Sequence, residues 1–128
     1  MLNYPALLGL EDAKKVWDGI HSAEWESLTA ISPTFKLCKL HARIEEFQHD
    51  SPEDLIYFDS FSPEKQPELW TVAIFEKMFQ LLHPGGRLTT YCAKGDVRRA
   101  MLAAGFHVSK EKGPPGKREM LVATKAIV

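Results

Sequence analysis

The chain has 128 residues, 45% of them hydrophobic and 26% charged, with a formal net charge of −1, the length and composition of one ordinary globular domain. No apolar run approaches the roughly 20 residues that span a bilayer. The start, MLNYPALLGLEDAKK, lacks the basic segment and small-residue cleavage site of a signal peptide, so no membrane is expected and the cytoplasm is the expected location. The charge is uneven: residues 1–85 carry 7 Lys/Arg against 14 Asp/Glu, and residues 86–128 carry 9 against 3. The basic C-terminal third suits either a solvated face or a polyanionic partner such as RNA. Cys38 and Cys92 are too few and too far apart for a metal site or a disulfide scaffold, and read as reduced core thiols in strands.

In chain order, Glu11–Ile20 and Ala23–Ala30 pattern as two short amphipathic helices separated by Gly19-Ile20-His21-Ser22. Phe35–Leu40 alternates apolar and basic residues, as a half-exposed strand does, and Ile44–Phe47 reads as one helical turn. Leu55–Phe58 is a compact apolar run suited to a buried parallel strand. Pro67 opens a helix, where its missing N–H is not needed, and that helix runs to about Leu82, with His83-Pro84-Gly85-Gly86 as its stop. Arg87–Cys92 is the next strand, Asp96–Ala104 a helix closed by Gly105, Phe106–Lys110 a strand, Gly113-Pro114-Pro115-Gly116 a turn, and Glu119–Lys125 the last strand. The order β-α-β-α-β-turn-β specifies a mostly parallel α/β sheet with an antiparallel edge hairpin at its C-terminal end. The whole reads as a single domain, with residues 1–34 a helical segment and residues 35–128 the α/β core.

Chemistry is expected at the carboxyl ends of the strands, where open α/β sheets bind ligands. Asp59 follows Leu55–Phe58, and a carboxylate there either binds an amine and accepts its proton or closes a local turn. Pro63 and Pro67 restrict the loop after it, while Phe61 and Trp70 are candidates either for core packing or for stacking on a flat base. Tyr91 and Lys94 end the next strand and would face the same crevice if the two strands are neighbours. Lys94, Arg98 and Arg99 cluster at a helix start. Cations are unfavourable beside the positive end of a helix dipole, so an anionic partner explains them better than stability does. Lys117 and Arg118 follow a rigid turn, as exposed tip residues or as phosphate contacts.

Asp59-Ser60-Phe61-Ser62-Pro63 followed by Pro67-Glu68-Leu69-Trp70-Thr71 resembles the Asp-x-Phe-x-Pro…Pro-x-x-Trp signature of the tRNA 5-methylaminomethyl-2-thiouridine methyltransferase family. The resemblance continues through Pro84-Gly85-Gly86, Thr89-Thr90-Tyr91, Gly95 to Arg99, Ala104-Gly105-Phe106 and Gly116 to Leu121, covering about residues 55–124. It implies a Rossmann-like fold, S-adenosylmethionine as cofactor, and methylation of the aminomethyl group on a modified wobble uridine of tRNA. Asp59 would then bind or deprotonate the amine, with Phe61 and Pro63 shaping the pocket.

The family's first strand, its Gly-rich cofactor turn and its acidic residue after the second strand have no match. Asn3-Tyr4-Pro5 resembles the segment just after that second strand, and Leu40-His41-Ala42-Arg43 lacks the family's cofactor-touching acid. Met1 is therefore expected to mark a truncation or a misassigned start, and the sheet to be partial. Loss of the central strands would bare an edge of the Asp59 strand, to be covered by Phe35–Leu40 or by a second copy in a homodimer. The functional expectation is tRNA methylation, alone or with a separate flavin-dependent oxidoreductase supplying the amine. The alternative is a non-catalytic remnant serving as an RNA-binding or dimerisation module. A phospho-acceptor receiver domain fits the length but lacks the acidic pair that would hold Mg²⁺.

Overall fold

A computed structural model of the chain describes residues 13–49, 51–116 and 119–127. They divide between Arg43 and Ile44 into two compact units.

In the first unit, helix α1 (Ala13–Ser22) is followed by a hairpin of β1 (Leu28–Ser32) and β2 (Phe35–Cys38). The helix expected over Ala23–Ala30 is thus replaced by a bridge at Trp25 and a strand. Local chemistry explains the change. Glu26 adopts a left-handed conformation (φ 64°), which breaks a helix. Thr29 and Ile31 are β-branched and favour a pleated strand. The Ser32 hydroxyl accepts from Thr34 N (3.3 Å), closing the turn around Pro33. Phe35–Cys38 pairs with this hairpin partner, in register Leu28↔Cys38 and Thr29↔Leu37, and not with the Asp59 strand. No described residue of this unit is buried, and Cys38, expected in the core, is exposed.

The second unit holds a four-stranded sheet and two helices. After a 3-10 turn at Ile44–Glu46 come β3 (Glu53–Tyr57), a second 3-10 turn at Pro67–Leu69, α2 (Val72–Leu81), β4 (Leu82–Thr90), α3 (Gly95–Ala103), β5 (His107–Lys112) and β6 (Glu119–Thr124). The strand order is β3-β4-β6-β5, with β3–β4 parallel and the β4–β6 and β5–β6 pairs antiparallel. The sheet is therefore mixed, which corrects the expected mostly parallel sheet. Its cause is β6, which returns from β5 through a short turn and slots between β4 and β5. Three strands still run the same way, but only one pair of them is adjacent.

The core lies between one face of the sheet and the two helices. Leu88 on β4 and Leu121 and Ala123 on β6 meet Phe75 and Met78 of α2 and Val97 and Met101 of α3, all at most 2% exposed. Alternate residues point to the other face, where Leu55, Tyr57 and Arg87 are exposed.

The helix expected over Pro67–Leu82 is broken at Trp70 and Thr71. Thr71 is extended and caps α2, its hydroxyl accepting from Ile74 N (3.4 Å). At its other end α2 passes directly into β4. His83-Pro84-Gly85-Gly86 forms a bulge within that strand, with Gly85 left-handed (φ 87°). Lys125 closes the helix end by donating to the carbonyls of Phe79 (3.0 Å) and Leu82 (2.9 Å), a cation at the negative end of the helix dipole. No described helix is long and apolar enough to cross a membrane.

Phe75 is fully buried where α2 meets the sheet. Phe75→Ala is expected to cost about 3–5 kcal/mol in urea unfolding, against less than about 1 kcal/mol for Lys14→Ala on the exposed surface of α1.

Candidate functional site

The site is built by the parallel pair. Ile56 lies opposite Leu88 and Tyr57 opposite Thr89, and Phe58 N donates to Thr89 O (2.9 Å), carrying the ladder one residue further. The two strands end at the same level, so the loops after them, beginning at Asp59 and Tyr91, open on one cleft of about 340 Å³.

The loop after β3 is held from three directions. Phe58 is buried, its ring 4.7 Å from Trp70 and edge-on to Phe75. The Trp70 indole N–H donates to Phe61 O (2.8 Å). Lys65 N and Gln66 N both donate to Ser62 O (3.0 and 2.9 Å), forming a tight turn between the two prolines. Opposite, Thr90 is buried and its hydroxyl accepts from Cys92 N (3.3 Å), which shapes the β4 end.

Of the residues singled out in the sequence, Asp59, Pro63, Trp70, Tyr91 and Lys94 line this cleft. Phe61 borders an adjoining depression of about 500 Å³ that also reaches Asp59, with its ring 70% exposed while its carbonyl is tied down. Trp70 has a different position from the one expected of a stacking platform. It is 8% exposed, with its ring packed in the core and its N–H committed to the loop. Arg98 and Arg99 lie on α3 and do not line the cleft. Arg99 pairs with Asp96 in the first turn, so the local carboxylate, which also suits the helix dipole, accounts for that cation without an outside partner. Lys117 and Arg118 lie outside the described residues, as does Asn3-Tyr4-Pro5.

Sequence reasoning missed Glu64, whose carboxylate pairs with Lys94 across the cleft mouth. It also missed Ser60, Ser62, Thr90 and Cys92, which line the cleft as well. The only signal for Glu64 was its place between Pro63 and Pro67 in a restrained loop. Among the described residues, no side chain pairs with the Asp59 carboxylate, which is exposed to the cleft. Nor is any group of acidic, His and Cys residues there arranged to hold a metal ion. An anionic group free of partners, beside hydroxyls and a tyrosine, can take a cationic amine by a charge-assisted hydrogen bond.

Comparison with known proteins bears on this arrangement. A family model described as S-adenosyl-L-methionine-dependent methyltransferase matches residues 10–126. The tRNA 5-methylaminomethyl-2-thiouridine biosynthesis bifunctional protein MnmC of Aeromonas hydrophila subsp. hydrophila is 44% identical over 77 residues, 60% of this chain and 12% of that protein. MnmC of Ectopseudomonas mendocina is 45% identical over 74 residues, 58% of this chain and 11% of that protein. The chain thus spans only about an eighth of the length of these curated relatives. Among solved structures, MNMC2 from Aquifex aeolicus superposes with a TM-score of 0.60 at 27% identity, over 70% of this chain and 30% of that one. A methyltransferase from Pyrococcus furiosus, at 22% identity and a TM-score of 0.54 over 71% of this chain and 51% of that one, shares the fold.

Trp70→Phe keeps an aromatic ring in the core and removes only the donor to Phe61 O. It is expected to cost about 1 kcal/mol and to speed amide exchange in residues 60–62 while leaving β6 amides unchanged, as read by hydrogen–deuterium exchange.

Proposed function

This chain belongs to the S-adenosyl-L-methionine-dependent methyltransferase family, with the MnmC methyltransferases as its relatives, and from that premise we propose that it takes part in methylating the aminomethyl group of a modified wobble uridine in tRNA. The observation that carries this reading is the unpaired Asp59 carboxylate at the head of a restrained loop, in a cleft shared with Tyr91 and Lys94.

An aminomethyl group arrives at neutral pH largely as an ammonium, since alkyl amines titrate near the lysine range. Asp59 binds that cation. The nitrogen must be neutral to attack a methyl carbon, and a carboxylate alone would favour the charged form, so Asp59 acts as orienter and as acceptor of the departing proton. Pro63 and the Trp70-anchored backbone hold Asp59 in one position, which is where positioning contributes to rate. Phe61, with an exposed ring beside Asp59, offers a stacking face for the uridine base. Arg98 at the start of α3, with Lys117 and Arg118, is proposed to meet tRNA phosphates.

The described residues do not fit the methyl donor as they fit the amine. A cofactor cradle needs backbone that approaches closely, usually through glycine. The left-handed glycines stand elsewhere: Gly85 in the β4 bulge, Gly105 after α3 and Gly116 in the β5–β6 turn. Gly95 opens α3, but the space beside it holds the Arg99 guanidinium, 3.1 Å from where a Cβ would stand. Among the described residues the outer edge of β3 also pairs with no strand. Leu55 and Tyr57 on that strand are 43% and 78% exposed. These features favour a second chain at the β3 edge, as a homodimer in which sheet pairing completes the site; a separate flavin-dependent oxidoreductase making the amine is proposed from the family relation alone. They equally favour a second reading, a non-catalytic RNA-binding or dimerisation module.

Label from methyl-labelled S-adenosylmethionine is expected to enter tRNA carrying an aminomethyl uridine when the full chain is present, and Asp59→Asn is expected to lower that rate by about 10²–10⁴. Absence of label together with absence of heat in calorimetry with millimolar cofactor would sink the catalytic reading in favour of the module. Sedimentation is expected to show a dimer, and Tyr57→Pro, which removes a donor on the open edge of β3 (the Phe58 N–H, one residue on, faces β4), to shift it toward monomer.

A further inference from the structure

The cleft holds two carboxylates, Asp59 and Glu64, and one ammonium, Lys94. Only Glu64 is paired with Lys94. A lysine carries its charge on a flexible four-carbon stem and neutralises whichever carboxylate it reaches. If it turned to Asp59, the amine-binding anion would be cancelled and an incoming ammonium would meet like charge.

We propose that Glu64 is a positioning residue that partitions the charge of the cleft, holding Lys94 so that the Asp59 carboxylate stays free for the substrate amine. Its relevance to catalysis rests on the proposed methylation of an aminomethyl nucleoside; the partition itself does not. Three observations support it. The loops carrying Asp59 and Lys94 leave adjacent parallel strands and open on the same cleft. Among the described residues Asp59 has no ion-pair partner although an ammonium lines that cleft with it. The backbone around Glu64 is fixed by the two amides on Ser62 O and the Trp70 N–H on Phe61 O, which keeps the exposed Glu64 side chain within reach of Lys94. The partition also gives the cleft a chemical preference. With Lys94 neutralised and Asp59 free, it takes a cationic amine ahead of a neutral alcohol or amide of the same shape.

The test uses the full chain labelled with carboxyl-¹³C aspartate at pH 7, as wild type, Glu64→Gln and the double variant Glu64→Gln/Lys94→Gln, alongside titration with an aminomethyl-substituted uridine. In Glu64→Gln the released ammonium is expected to pair with Asp59, moving the Asp59 carboxyl signal and weakening nucleoside binding about fivefold, the size of an exposed ion-pair effect. In the double variant the signal is expected to return to its wild-type position and binding to recover. A signal that does not move in Glu64→Gln, or that moves equally in both variants, overturns the proposal and makes Glu64 a loop staple. Unchanged dispersion of the Trp70 indole signal reports that each variant is folded. A wild-type chain that does not bind the nucleoside overturns the substrate reading, while the carboxyl signal still decides the partition.

Discussion

The parallel pairing of β3 with β4 is the constraint on which the site depends. Parallel neighbours end at the same edge of the sheet, so two loops separated by a whole helix in sequence meet without any further device. The register Ile56↔Leu88 and Tyr57↔Thr89, extended by Phe58 N to Thr89 O, sets Asp59 level with Tyr91. The helix that makes the crossover also supplies the weight behind it. Phe75 and Met78 pack α2 against the sheet, and the Phe58–Trp70–Phe75 aromatic cluster ties the loop after β3 to the same core. Packing, register and loop geometry are therefore one cooperative unit.

Much of this unit was legible in the chain. The apolar run at Leu55–Phe58, the strand at Arg87–Cys92, a helical spacing between them, and a Gly105 stop after α3 mark where the elements lie, because each depends on local chemistry. The left-handed Gly105, with the Phe79 ring 3.4 Å from where a Cβ would stand, is a position where glycine's lack of a side chain is used. Asp59 and the proline-restrained loop stood out for the same reason: strand-end acids and paired prolines are local patterns.

What was not legible depends on partners distant in sequence. Nothing near Glu119 announces that β6 inserts between β4 and β5; that outcome comes from Leu121 and Ala123 completing the face begun by Leu88. The bulge at His83–Gly86 reads as a helix stop until Lys125, some 40 residues on, is seen to cap α2. Trp70 reads equally as core or as a stacking face until its burial beside Phe58 and Phe75 is known. Residues 23–30 show helical spacing over eight residues, too short a window to outweigh the Glu26 kink and the turn at Pro33. Glu64 carries no signal of its own, since a surface acid becomes meaningful only when its cation is identified.

The interior place of β6 has a consequence for how the molecule is made. Strands β3, β4 and β5 are all synthesised before the one that joins β4 to β5. Until residues 119–124 leave the ribosome, β5 has no neighbour, Leu88 lacks its cover, and the end of α2 lacks Lys125. Long-range closure of this kind is slow and leaves apolar surface bare in the meantime. Closure of this unit thus waits on β6, and the chain that has not yet formed that strand is the state most in need of a chaperone.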